Sequence, residues 1–125
     1  MSNGKKVLIV DDDPFILDMY KLKFKEEGFE VESASDGEKA FAAVKDTRPD
    51  VVLLDVIMPI LDGFEVLKKL KADSDVKNIP VIMLTNLGQK EDMEKGMSGG
   101  AVDYIVKAHF TPSEVVEKVK QFLKI

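Results

Sequence analysis

The 125-residue chain has no cysteine, which removes a disulfide framework, a zinc-thiolate cluster and a thiol nucleophile together. His109 is its only histidine, so the paired-imidazole site of most zinc hydrolases cannot be assembled. A serine triad fits poorly for the same reason, since that one imidazole would have to serve. Long apolar runs are missing too. Lys5 and Lys6 lead into Val7–Val10 in faint likeness to a signal peptide, but Asp11, Asp12 and Asp13 cut the run short. No stretch reaches membrane-spanning length, and the reading is a cytoplasmic chain without membrane contact. Repeats, low-complexity tracts and linkers are absent.

Positive charge is in the minority. Eighteen basic against 23 acidic residues give a net charge of −5, which opposes nucleic-acid or anionic-membrane binding through bulk charge and favours protein partners. At 45% apolar residues the chain can fill one core without staples, and its length fits a single domain over residues 1–125.

Four runs, Val7–Val10, Val51–Leu54, Val81–Leu84 and Tyr104–Val106, are apolar without alternation, as strands covered on both faces should be. Val31–Ala34, with Glu30, Glu32 and Ser33 interleaved, reads as an edge strand. Between them helical spacing predicts inward stripes of Phe15, Met19 and Leu22, then Phe41 and Val44, then Phe64, Leu67 and Leu70. Val115, Val116, Val119, Phe122 and Leu123 form the last. Gln89–Ser98 is the weakest helix, with only Met93 and Met97 to bury, and is expected to be comparatively mobile. Met58 and Met97 are assigned to packing.

Punctuation agrees. Asp62 with Glu65 and Thr111 with Glu114 have capping-box spacing, Pro112 suits a first helical position, and Gly28 suits a helix stop. Pro49 and Pro80 stand just before strands, where a lost N–H costs little. Asp13, before Pro14, is expected to cap the first helix. Five strand–helix alternations with right-handed crossovers predict an α/β doubly wound parallel sheet with helices on both faces. Ligands of such a sheet sit beyond the carboxyl ends of its strands. The residues there are Asp11, Asp12 and Asp13, then Asp55, then Thr85 and Asn86, then Lys107.

Aspartates from the first strand placed beside Asp55 gather like charges, a costly arrangement unless a cation neutralises them. Oxygen ligands alone favour Mg²⁺ over zinc or copper. A carboxylate nucleophile, a metal, a hydroxyl and an ammonium are the parts needed to make an aspartyl phosphate, with no histidine or cysteine on this side of the reaction.

The ordered segments Val-Leu-Ile-Val-Asp-Asp-Asp-Pro (7–14), Leu-Leu-Asp-Val-Ile-Met-Pro (53–59) with Asp62-Gly63, Met-Leu-Thr (83–85) and Asp-Tyr-Ile-Val-Lys (103–107) resemble the receiver domain of bacterial response regulators. The resemblance covers nearly the whole chain. It implies the flavodoxin-like five-strand order 2-1-3-4-5. It makes Asp55 the phosphoacceptor, and Asp11 and Asp12 the acidic pair holding Mg²⁺ with the backbone carbonyl of Ile57. Thr85 becomes the switching hydroxyl, Lys107 the phosphoryl contact, and Tyr104 the aromatic ring that turns inward on activation. It further implies a sensor histidine kinase or histidine phosphotransfer protein as donor. A downstream output protein would be contacted through the fourth helix, fifth strand and fifth helix.

Departures from the family pattern are specific. Ala108 follows Lys107 where proline through a cis peptide is usual, so a trans bond and a reshaped loop are expected. Asn86 replaces the small residue usual after the threonine, and either narrows phosphoryl access or supplies a hydrogen bond. Ile57 and Leu87 are apolar where dephosphorylation is often influenced, which predicts slow spontaneous loss of the phosphoryl group. His109 is read as a solvated loop histidine. Three rivals stand against this reading. A haloacid-dehalogenase-type phosphohydrolase would use Asp11 and Asp13, but Phe15 stands where Thr or Val belongs. A flavodoxin would need a hydroxyl- and glycine-rich phosphate loop in place of the three aspartates. A phosphorylation-independent pseudo-receiver would lack site residues that are present here. The expected chain is a stand-alone phosphoacceptor and not a turnover enzyme.

Overall fold

The computed structural model describes residues 2–125. Strands β1 (Lys6–Val10), β2 (Glu30–Ala34), β3 (Val51–Leu54), β4 (Val81–Thr85) and β5 (Asp103–Val106) alternate with helices α1 (Pro14–Glu26), α2 (Gly37–Thr47), α3 (Gly63–Ala72), α4 (Lys90–Ser98) and α5 (Pro112–Leu123). A 3-10 turn, Lys107–His109, lies between β5 and α5. All strand pairs are parallel and the sheet order is β2-β1-β3-β4-β5, as expected. The winding reverses between β1 and β3, which opens the crevice there. Among the described residues no helix is long and apolar enough to cross a membrane.

Because successive side chains leave a strand on opposite faces, the apolar runs divide between two cores. Leu8, Val10, Val52, Leu54, Val81 and Met83 pack with Val44, Val66, Leu67 and Leu70 on the α2–α3 side. Val7, Ile9, Leu53, Ile82, Leu84 and Ile105 pack with Leu17, Tyr20, Phe24, Val115, Val116 and Val119 on the α1–α5 side. Strand β2, at the edge, is only partly covered up to Ala34, which is buried.

Helix ends follow the sequence signals. Asp62–Glu65 and Thr111–Glu114 form reciprocal capping boxes, and Pro112 opens α5. Asp13 caps α1, its Oδ1 accepting from the N–H groups of Phe15 (2.9 Å) and Ile16 (3.3 Å). Gly28, at φ 90°, follows the end of α1 in the left-handed conformation that glycine adopts at least cost.

Three packing expectations are corrected. The predicted stripe of α1 faces outward, with Phe15 85% and Leu22 62% exposed and Met19 also exposed, while Leu17, Tyr20 and Phe24 are buried. Both sets repeat at helical spacing; the Asp13 cap fixes where α1 starts, and packing of Phe24 edge-on against Phe29 holds the second set inward. In α4, Met93 and Met97 are exposed and Gly96 is the buried contact. The Tyr104 ring occupies that space, and a Cβ on Gly96 would come within 2.9 Å of it. Phe122 is likewise exposed at the end of α5, whereas Met58 is buried as expected.

Candidate functional site

Backbone pairing brings the two key acids together. Val10 is registered with Leu54, and the ladder runs one step further on each strand. The Asp11 N–H donates to the Ala34 carbonyl (3.2 Å), and the Asp55 N–H donates to the Val10 carbonyl (3.1 Å). Asp11 and Asp55 therefore leave the sheet side by side at its carboxyl end. Asp12 joins them from the start of the β1–α1 loop, and one carboxylate oxygen from each of Asp11, Asp12 and Asp55 lies within 4.8 Å of the others.

Among the described residues, the buried polar or charged side chains are Asp11, Asp55 and Thr85, all at this end of the sheet. The chain folds back over Asp55, while Asp12 stays exposed at the rim of the cluster. Gly63 opens α3 with its N–H on the Val56 carbonyl (2.9 Å), so close that a side chain there would collide with the Asp55 carbonyl oxygen. Ile57 sits beside the acid with its N–H on Asp55 Oδ1 (3.3 Å) and its side chain half exposed.

Lys107 supplies the cation. Its Nζ lies 2.5 Å from Asp11 Oδ2 and 3.0 Å from Asp55 Oδ2, and its side chain is 9% exposed. Burial pulls this ammonium downward, but the two carboxylates outweigh it and hold it above the ordinary lysine range. Burial pushes the Asp11 carboxyl upward, against the opposing hydrogen bond from Lys107. Three carboxylates against one ammonium leave two negative charges uncompensated. A hard dication fits that deficit and that all-oxygen donor set, and Asp11, Asp12 and Asp55 are the residues that would hold it.

Thr85 ends β4, fully buried, with Oγ1 accepting from the Leu87 N–H (3.3 Å). Tyr104 already lies inward: it is 8% exposed and its hydroxyl donates to the Leu87 carbonyl. Burial, with the charges of Asp92 and Asp55, pushes its phenol up to about 12. The Lys107–Ala108 peptide is trans. The following loop is the 3-10 turn, in which His109 is exposed.

Two partners go beyond what spacing specifies. Of the two roles open to Asn86 the structure shows the hydrogen bond, its Oδ1 accepting from the Ala108 N–H (2.9 Å). The signal for it was an alanine where the family carries proline, which adds a donor that needs an acceptor. Tyr20, buried on α1, stands within electrostatic reach of Lys107, Asp11 and Asp55, and burial pushes its phenol upward. Nothing in the helical spacing chose it over Met19.

Comparison with known proteins gives a consistent result. The family model described as "Response regulator receiver domain" matches residues 7–120. The DNA-binding dual master transcriptional regulator RpaA of Synechocystis sp. is 39% identical over 119 residues, which is 95% of this chain and 49% of that protein. The chain spans about half the length of the curated relatives it matches. Chemotaxis protein CheY4 of Vibrio cholerae is 36% identical with a TM-score of 0.87, covering 94% of this chain and 97% of that one. The receiver domain of sensor histidine kinase PA1611 from Pseudomonas aeruginosa PAO1 is 25% identical with a TM-score of 0.86, covering 98% and 99%. That structure has a magnesium ion coordinated in its active-site cleft.

Proposed function

The chain belongs to the response regulator receiver domain family of two-component systems, and from that premise we propose that it accepts a phosphoryl group on Asp55 from the phosphohistidine of a sensor histidine kinase or phosphotransfer protein. The observation that carries this reading is the convergence of Asp11, Asp12, Asp55, Thr85 and Lys107 at one end of the sheet.

A carboxylate oxygen of Asp55 attacks phosphorus, the P–N bond to the donor imidazole breaks, and its bonding pair returns to the ring nitrogen. An acyl phosphate results. Asp11, Asp12 and Asp55, with the Ile57 carbonyl, would hold Mg²⁺. When bound, the ion neutralises the acid cluster and screens the phosphoryl oxygens from the attacking carboxylate. Lys107 pairs with one phosphoryl oxygen and Thr85 hydrogen-bonds another. Most of the work is positioning and charge stabilisation.

The new dianion draws Thr85 and Lys107 toward it and favours the inward position of Tyr104, which packs on Gly96 of α4. The face built from α4, β5 and α5 is then read by a protein partner. The net charge of −5 supports protein contact over direct nucleic-acid binding by this domain, and the DNA-binding named for RpaA belongs to a protein about twice as long. The chain works as one domain and as a phosphoacceptor, without substrate turnover. A phosphohydrolase reading would need Asp13 free to act with Asp11, but the Asp13 carboxylate is occupied in capping α1.

Incubation with acetyl phosphate and Mg²⁺ tests the proposal. The intact mass rises by one PO₃ group in the unmodified chain and stays unchanged in Asp55→Asn. An unaltered mass in the unmodified chain overturns the assignment, and sustained hydrolysis of p-nitrophenyl phosphate would replace it with an enzyme.

A further inference from the structure

The last rung between β4 and β5 pairs Thr85 with Val106. Beyond it the two chains leave the sheet, β4 into Asn86 and β5 into the 3-10 turn that begins at Lys107. The early N–H groups of such a turn have no acceptor within it, and Val106, at its cap position, supplies no side-chain oxygen. Asn86 fills the gap: its Oδ1 accepts from the Ala108 N–H at 2.9 Å. A side chain thus adds one more cross-link where backbone pairing has stopped. The link joins the residue after Thr85 to the residue after Lys107.

We propose that Asn86 is a positioning residue, whose bond to Ala108 fixes the Lys107 ammonium over Asp11 and Asp55 and couples movement of Thr85 to the placement of Lys107. The inference rests on the phosphoacceptor reading and deepens it. Lys107 has a long, flexible stem, and an ammonium held at 2.5 and 3.0 Å from two carboxylates depends on where its backbone starts. Asn86 touches neither carboxylate and acts only through the turn. Loosening the turn leaves the Lys107 ammonium within reach of the acids but no longer fixed over them, and so without the aim needed for an incoming phosphoryl oxygen.

Asn86→Ala tests this with three readouts on the full chain. In the metal-free protein, exchange of the Ala108 amide proton, followed by NMR, accelerates about threefold to tenfold, the range one hydrogen bond spans. Asn86→Asp, which keeps the accepting oxygen, restores the protection. Phosphorylation by acetyl phosphate at saturating Mg²⁺ slows in Asn86→Ala by a similar factor, about threefold to tenfold. Mg²⁺ affinity, titrated by NMR, is unchanged, because the three carboxylates are untouched. A wild-type exchange rate at Ala108, or a wild-type phosphorylation rate, overturns the proposal. So does a loss of Mg²⁺ affinity in step with the rate, which would mean collapse of the acid cluster. If the unmodified chain itself takes up no phosphoryl group, the phosphoacceptor reading falls and this one with it. A phosphorylated parent beside an equally fast Asn86→Ala sinks this inference alone.

Discussion

The Lys107 ammonium meets the Asp11 carboxylate at 2.5 Å across 96 positions of sequence, and both side chains are withdrawn from water. The pair closes the carboxyl end of the sheet, since Asp11 follows β1 and Lys107 follows β5. Removing Lys107 leaves the buried carboxylates of Asp11 and Asp55 uncompensated.

Lys107→Met is therefore expected to destabilise the metal-free protein by about 3 kcal/mol. Saturating Mg²⁺ should return much of the loss, because a bound dication supplies the missing positive charge and a ligand held only by the folded state stabilises it. Urea unfolding with and without Mg²⁺ measures both effects. A variant as stable as the parent without metal would show that the acids carry little net charge in the fold.

Asp13→Ala separates a cap from a ligand. Loss of the bonds from Phe15 and Ile16 N–H should cost about 1 kcal/mol of stability. Mg²⁺ affinity should hold, whereas Asp12→Ala should weaken it strongly. A fall in metal affinity on removing Asp13 would place that carboxylate in the binding cluster.

The two tyrosines give a pH signature. Tyr104 is pushed up to about 12 and Tyr20 is raised as well, in both cases first by burial. Folding raises the pKa of each phenol, so their contribution to stability is fully present below pH 10 and is lost as pH climbs above it, for Tyr104 toward about 12. With no tryptophan in the chain, phenolate absorbance reports them cleanly. The native protein should show less phenolate at pH 10 than the urea-unfolded chain, which is half ionised there. Equal titration curves would contradict the buried placement of both rings.

Ile60 adopts φ 69° while 96% exposed in the loop between β3 and α3. A left-handed β-branched residue costs roughly 1–2 kcal/mol, and glycine's extra chain entropy returns only part of that. Ile60→Gly should raise stability by about 0.5 kcal/mol, because no burial is lost. Denaturation midpoints check it, and a lower midpoint would mean that the side chain makes contacts worth keeping.

Phosphoryl lifetime should be long. Neither Ile57 nor Leu87 can orient water toward an acyl phosphate on Asp55. Ile57→Glu should hasten hydrolysis toward the roughly 100-fold that a positioned base can supply. Decay of the phosphorylated mass in Mg²⁺ buffer gives the rate, and rapid decay in the unmodified chain would contradict the reading.

What could be read from the sequence divides along physical lines. Strands β1, β3, β4 and β5 were legible because burial on both faces confines polar residues to their ends and leaves an unbroken apolar run between. The residues ending each strand were legible because a doubly wound sheet has one functional end. The inward face of α1 was not, since Phe15, Met19 and Leu22 and Leu17, Tyr20 and Phe24 both follow helical spacing, and only docking on the sheet selects between them. Gly96 was hidden for a related reason: its role is an absence of atoms that the Tyr104 ring fills from another element. The Asn86–Ala108 bond joins residues 22 apart by a side chain whose direction no periodicity encodes.

Strand β3 has four residues, Val51–Leu54, and its pairing with β1 sets Asp55 on the rung next to Asp11. The strand is in effect a ruler. Inserting or deleting one residue between Pro49 and Asp55 would shift the carboxylate by about 3.3 Å and turn it toward the opposite layer of helices. Substitutions in that stretch can be graded by volume, but a change of length has no graded form. Indel scanning should therefore find β3 intolerant at every position, even where conservative replacements are accepted.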